Sequence, residues 1–105
     1  VLLDQYRNSQ EIIFLNFTAD WCITCKVNER VALKTKSVKD IIKQKNIKYL
    51  EADWTRKDSD IAQKLEEFGR TGVPLYLLYP SQGEPTILPE ILTEDTLVRY
   101  LTEIN

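Results

Sequence analysis

The chain has 105 residues, 43% of them hydrophobic and 29% charged, enough for one compact core and too few for two ordinary domains. Its formal net charge of -2 comes from intermingled acidic and basic residues. It therefore offers no basic stripe for nucleic acid, no polybasic flank for an anionic membrane, and no apolar run near the roughly 20 residues of a spanning helix. With no histidine, Ser-His-Asp or Cys-His catalysis and two-His zinc sites cannot be built within the chain, leaving thiols, carboxylates, lysine and the backbone.

The chain opens at Val1 without a charged-then-apolar leader, as expected of a mature form or a portion of something longer. Leu2 to Tyr6 can carry a short helix. Ile12 to Thr18 (IIFLNFT) is apolar almost without alternation, which predicts a central strand covered on both faces. From about Cys22 to Val31 there is no Pro or Gly, so a helix follows, and SVKDIIKQK predicts another with Ser37 as its N-cap. Ile47 to Trp54 (IKYLEADW) reads as a strand. The polar turn TRKD then leads into a helix with Ile61, Leu65 and Phe68 on one face, ending at Gly69.

Leu75 to Tyr79 (LYLLY) makes a strand that Pro74 can precede but not interrupt. After the turn PSQGEP, Thr86 to Leu88 supplies a short last strand. Thr93, followed by Glu94 and Asp95, caps a C-terminal helix with Leu97, Leu101 and Ile104 inward. The order β-α-β-α-β-β-α predicts one α/β domain over residues 1–105, a central mixed β-sheet flanked by helices on both faces.

Cys22-Ile23-Thr24-Cys25 carries both cysteines, at the point where the buried strand passes into a helix. A helix N-terminus presents unpaired N–H groups and the positive end of the macrodipole, which favours a thiolate at Cys22 and makes it the attacking sulfur. Cys25 lies one turn deeper on the same side, placed to resolve a mixed disulfide. A stapling disulfide is the bland alternative, but closing so short a loop restrains the unfolded chain by only about 2 kcal/mol. Half of a metal site is another; its remaining ligands would have to come from a dimer or from oxygen donors.

Pro74 is the second element. X-Pro bonds are where a cis peptide is tolerated, and a cis bond beside the dithiol would free the Val73 backbone to pair with an extended partner peptide; an ordinary trans Pro opening a strand is the other reading. Glu29, four residues after Cys25, is either a proton acceptor for the resolving thiol or a solvated helix charge. Trp21 either shields the sulfur within a flat contact surface or belongs to the core. Asp20 either raises the thiol pKa by its charge or is a solvated surface group.

The segment Phe14 to Glu29, FLNFTADWCITCKVNE, resembles the active-site segment of thioredoxin-like domains, and among them the C-terminal periplasmic domains of the DsbD family of thiol:disulfide interchange proteins. The likeness continues through ADWTRKDSDIAQKLEEFGRTGVPLYLLYP (Ala52 to Pro80) and LPEILT (Leu88 to Thr93). The resemblance implies a thioredoxin fold and a protein-disulfide reductase whose redox-active disulfide Cys22–Cys25 serves without cofactor or metal. It also implies a monomeric domain of a larger membrane protein, on the periplasmic side of a bacterial inner membrane.

In that family the domain takes electrons from a membrane-embedded thiol domain, itself reduced by cytoplasmic thioredoxin, and passes them to a periplasmic immunoglobulin-like domain. Carried over, Cys22 forms the mixed disulfides and Cys25 resolves them. Val73 and Pro74 match the family's cis-proline loop, and Glu29 matches an acidic residue near its active site. Asn16 departs from the pattern: thioredoxins and many DsbD domains carry there a buried Asp that manages the resolving thiol's proton, and Asn cannot titrate, which leaves Glu29 or water. Ile-Thr between the cysteines also differs from the Gly-Pro of ordinary cytosolic thioredoxin. Two rival readings stand beside the relay: a freestanding thioredoxin-like reductant for cytochrome c maturation or disulfide repair, and a dithiol metal-binding or interaction module.

Overall fold

The computed structural model describes residues 2–105, the side chain of Leu2 excepted; Val1 lies outside the described residues. Elements follow as α1 (Leu2–Asn8), β1 (Ile13–Thr18), α2 (Ile23–Asn28), a π-helical turn (Glu29–Leu33), α3 (Lys36–Gln44), β2 (Lys48–Asp53), α4 (Ser59–Glu67), β3 (Leu75–Tyr79), β4 (Thr86–Ile87) and α5 (Glu94–Glu103). The four strands lie in the order β2-β1-β3-β4. β1 runs parallel to β2 and antiparallel to β3, and β4 closes the edge antiparallel to β3. This is the mixed sheet expected from the alternation of strands and helices.

Every residue of β1 and of β3 is buried, because both strands are covered on both faces. The pleat sends alternate side chains to opposite layers. Ile13, Leu15, Phe17, Leu75, Leu77 and Tyr79 pack with Trp54 and Leu65, and with Tyr6 of α1 and Ile61 of α4. Phe14, Tyr76 and Leu78 pack on the other face with Ala32, Leu33, Val38, Leu97 and Leu101. β2 is half-covered and alternates accordingly.

Two boundaries differ from expectation. The helix read as continuous from Cys22 to Val31 is interrupted: Lys34 N–H donates to the Glu29 carbonyl (2.8 Å), a step of five residues that inserts the π-helical turn. Ser37 is not an N-cap. The helix starts earlier, with Thr35 at the cap position, and the Ser37 hydroxyl instead donates to the Glu94 carboxylate, tying α3 to α5. At the far end of that contact, Lys45 Nζ donates to the carbonyls of Leu101 (2.8 Å), Thr102 (2.9 Å) and Ile104 (2.6 Å), occupying acceptors left open at the C-terminus of α5.

α4 has clear punctuation at both ends. Asp58 accepts from the N–H groups of Asp60 (2.8 Å) and Ile61 (3.2 Å). At the exit Gly69, with φ +74°, donates its N–H to the Glu66 carbonyl while Arg70 N–H donates to the Leu65 carbonyl (2.9 and 3.0 Å), a Schellman closure that glycine adopts without a Cβ penalty. Removing the cap in Asp58→Ala should lower unfolding free energy by about 1 kcal/mol, read as a fall in urea midpoint with an unchanged m-value.

Candidate active site

Both cysteines sit where β1 hands over to α2. The Cys22 N–H donates to the Ala19 carbonyl (3.2 Å), forming a turn that leaves Cys22 in extended conformation as the N-cap of α2. Its sulfur occupies the place a Ser or Asp oxygen takes at other helix starts, and accepts the Cys25 N–H at 3.1 Å. Cys22 and Cys25 are joined in a disulfide with Cα atoms 5.2 Å apart. Cys22 is 6% exposed and Cys25 1%, so an incoming group meets Cys22 first. When the pair is reduced, the same N–H and helix end favour negative charge on the Cys22 sulfur.

The Val73–Pro74 bond is cis, and Val73 packs against Ala19, Cys22 and Cys25. The cis-proline loop and the cysteine pair therefore form one surface. Trp21 is not core: it is 48% exposed, with its ring 6.0 Å from Trp54 and its indole N–H donating to the Thr55 carbonyl (3.0 Å). Asp20 is a solvated group, 79% exposed at the side chain and 3.8 Å from Lys26 Nζ. Glu29 is not a freely solvated helix charge. Its side chain is 17% exposed and stands 3.9 Å from Lys26 and 3.7 Å from Lys34, and it lines a cavity of about 270 Å³ with Leu33, Tyr49 and Glu51.

Asn16 is 1% exposed and on the face of β1 that looks toward the helices carrying Phe14's partners, so it lies in the layer of α2. Its amide Nδ2 donates to the Tyr49 hydroxyl (2.8 Å), which donates in turn to the Glu51 carboxylate (3.0 Å). That chain fixes the amide orientation; among the described residues neither the buried Asn16 Oδ1 nor Thr18 Oγ1 two residues on has a protein hydrogen-bond partner. Desolvation pushes the Tyr49 phenol far above its ordinary value, the Asn16 amide pulls it back in part, and the Glu51 and Glu29 charges add to the rise, so it serves as a neutral donor. Asn16 carries no titratable proton; the carboxylates that line the cavity with Tyr49 are Glu29 and Glu51.

Two residues that tie the site together were not singled out in the sequence. Asn28, 1% exposed inside a helix, donates to the Tyr76 hydroxyl (2.9 Å) and the Glu90 carbonyl (2.7 Å) and accepts the Leu92 N–H (3.0 Å). It fastens α2 to the segment before α5, where Glu90 also pairs with Arg70 (2.8 Å) beside the cis-proline loop. An Asn in the interior of a helix, where it is a poor helix former, was the available signal. Tyr49 was legible too, since alternation in IKYLEAD sets Tyr49 and Glu51 on one face.

Among the described residues no group of three or more Cys, Asp or Glu side chains could cage a metal ion, and no helix is long and apolar enough to cross a membrane. The arrangement is a dithiol–disulfide at a helix start, apposed to a cis-proline loop on a four-stranded mixed sheet. A thioredoxin-like family model matches residues 2–81, and the chain belongs to the thioredoxin-like family. Within it, the chain is similar to thiol:disulfide interchange protein DsbD of Vibrio cholerae, 29% identical over 94 residues, covering 87% of this chain and 15% of the relative. It is likewise similar to DsbD of Campylobacter jejuni, 22% identical over 100 residues, covering 95% of this chain and 17% of the relative. The chain thus spans about one-sixth of these relatives. In fold it matches the reduced C-terminal domain of DsbD from Neisseria meningitidis with a TM-score of 0.79 at 21% identity, covering 99% of this chain and 95% of that one. Thiol:disulfide interchange is the oxidoreductase chemistry that this kinship and the Cys22–Cys25 disulfide support.

Asn28→Ala leaves a buried hydroxyl, carbonyl and N–H without their partner, and should cost about 2–4 kcal/mol in urea unfolding. Burial also raises the Tyr76 phenol above the ordinary 10.0, although the Asn28 amide pulls the other way. The folded chain then keeps a proton that the unfolded chain gives up. The associated stability is full below pH 10.0 and is lost as pH rises through the folded value. Unfolding free energy should therefore decline above that pH, and less steeply in Tyr76→Phe.

Proposed function

We propose that this domain relays two electrons by thiol–disulfide exchange, from a membrane-embedded dithiol to periplasmic protein partners, as one monomeric module of a larger membrane protein on the periplasmic side of a bacterial inner membrane. The observation that carries the reading is the Cys22 sulfur held as the cap of α2 beside the cis Val73–Pro74 loop. The similarity to DsbD, of which this chain matches only a small part, supports the larger setting.

In the reduced domain the Cys22 thiolate attacks one sulfur of a partner disulfide, forming a mixed disulfide and expelling the partner's other sulfur as thiolate. Cys25 then loses its proton to a base, a role assigned here to Glu29 or water. The Cys25 thiolate attacks the Cys22 sulfur, forms the intramolecular disulfide and releases the partner's second thiolate. The partner gains two electrons and the domain loses two. Recharging by the membrane dithiol is the same sequence with donor and acceptor exchanged. Val73 lies where its backbone can align an extended partner segment with Cys22, and Trp21 adds an apolar wall. No cofactor is needed, because the electrons move with the sulfur–sulfur bonds.

A Cys25→Ala variant should stall at the mixed disulfide. Introduced into the native envelope, it should hold a multi-spanning membrane protein and a periplasmic thiol protein through Cys22, identified by mass spectrometry after non-reducing separation. Capture confined to soluble clients would replace the relay with a freestanding reductant. No capture dependent on Cys22, together with stoichiometric metal after anaerobic purification, would replace it with a metal-binding module.

A further inference from the structure

Asp20 and Trp21, the residues that lead into Cys22, are exposed, and they are held by the loop that follows β2. Thr55 meets them twice. Its hydroxyl oxygen accepts the Asp20 N–H (2.9 Å), and its carbonyl accepts the Trp21 indole N–H (3.0 Å). Thr55 is itself fixed by Asp53, whose carboxylate accepts both the Thr55 N–H (2.9 Å) and the Thr55 hydroxyl. The hydroxyl therefore gives its proton to Asp53 and a lone pair to Asp20, so its rotation is set from both sides. The neighbouring Trp54 N–H donates to the Thr18 carbonyl (2.7 Å), joining the two loops at their bases. Above them Lys57 Nζ stands 5.3 Å from the Trp21 ring and 6.0 Å from the Trp54 ring.

We propose that Thr55 is a positioning residue, which holds the Trp21 indole as a fixed wall beside Cys22 for the segment that brings the partner's sulfur. The proposal rests on the exchange reading above and adds to it a residue on another loop. A tryptophan whose N–H is already bonded presents its broad face with little rotamer freedom left to lose. A loose indole would have to be ordered at every encounter, and that ordering subtracts from association. Thr55 bonds to the turn ahead of Cys22 and not to either sulfur, so it acts on how well a protein partner docks rather than on the reactivity of the thiolate.

Thr55→Val keeps the shape and the carbonyl but removes the hydroxyl that ties the loop to the Asp20 N–H and to Asp53, so the carbonyl that holds the indole is no longer fixed in place; Thr55→Ser keeps the hydroxyl. The full chain, recycled by dithiothreitol, is assayed with insulin as the protein disulfide. Its reduced form is assayed with iodoacetamide as a small probe of Cys22, and the Trp21 indole N–H is followed by NMR solvent exchange. Thr55→Val should raise the KM for insulin about five- to tenfold with kcat and alkylation unchanged, and should speed exchange of the indole proton. Thr55→Ser should restore both. An unchanged KM in Thr55→Val, a Ser variant as impaired as Val, or alkylation falling in parallel would overturn the proposal. If the wild type alkylates at Cys22 yet leaves insulin intact, the exchange reading fails by itself. The indole measurement then decides the placement alone: loss of protection in Thr55→Val, regained in Thr55→Ser, upholds it, and unaltered protection rejects it.

Discussion

The burial of β1 on both faces is the constraint on which the molecule turns. A strand with no solvent face must have layers on either side, and its backbone groups must pair with neighbours on both edges. β2 and β3 supply those edges, and the helices supply the layers. Because β1 is held so completely, the point where it ends is held too. There the chain leaves the sheet through Ala19, itself 1% exposed, and the residue that caps the next helix is a cysteine. Strand, turn and cap thus bring a sulfur to the rim of the sheet while its helix stays anchored in the core.

The polar groups inside the domain lie on the helical side that carries this pair. Asn16 and Thr18 project from β1 into the layer of Phe14, and Asn28 rises from α2 to meet Tyr76. Asn28 is satisfied three times over, which suits a strut. Asn16 is held on its amide nitrogen by the Tyr49 hydroxyl.

Much of this was written in the residues. The largely apolar run IIFLNFT, the LYLLY strand, the Gly69 stop and the Thr93 cap each state a local preference that the fold obeys, as does the cysteine pair at the strand–helix junction. The Val73–Pro74 dipeptide indicated where a cis bond could fall. Other features depend on distant contacts. Whether a Thr or a Ser two residues later begins α3 turns on Glu94, more than fifty residues on. Thr55 is one polar residue among several in a turn, and its role appears only when the loop lies against Trp21. Glu29 at four residues from Cys25 was ambiguous because a helix that shifts by one residue in its next turn changes which way its side chains look.

That π-helical turn matters for comparison across lineages. An α-helix advances about 100° per residue, so one additional residue in a turn rotates everything downstream relative to everything upstream. Up to Asn28 the faces of this helix can be matched position by position with those of a relative whose helix is uninterrupted. Beyond it the frames part, and an ungapped alignment would equate the inward Ala32 and Leu33 with residues that look elsewhere. Placing a single gap within Glu29–Leu33 is therefore a geometric decision about which side chains correspond, with the dithiol segment on one side of it and the core-facing segment on the other.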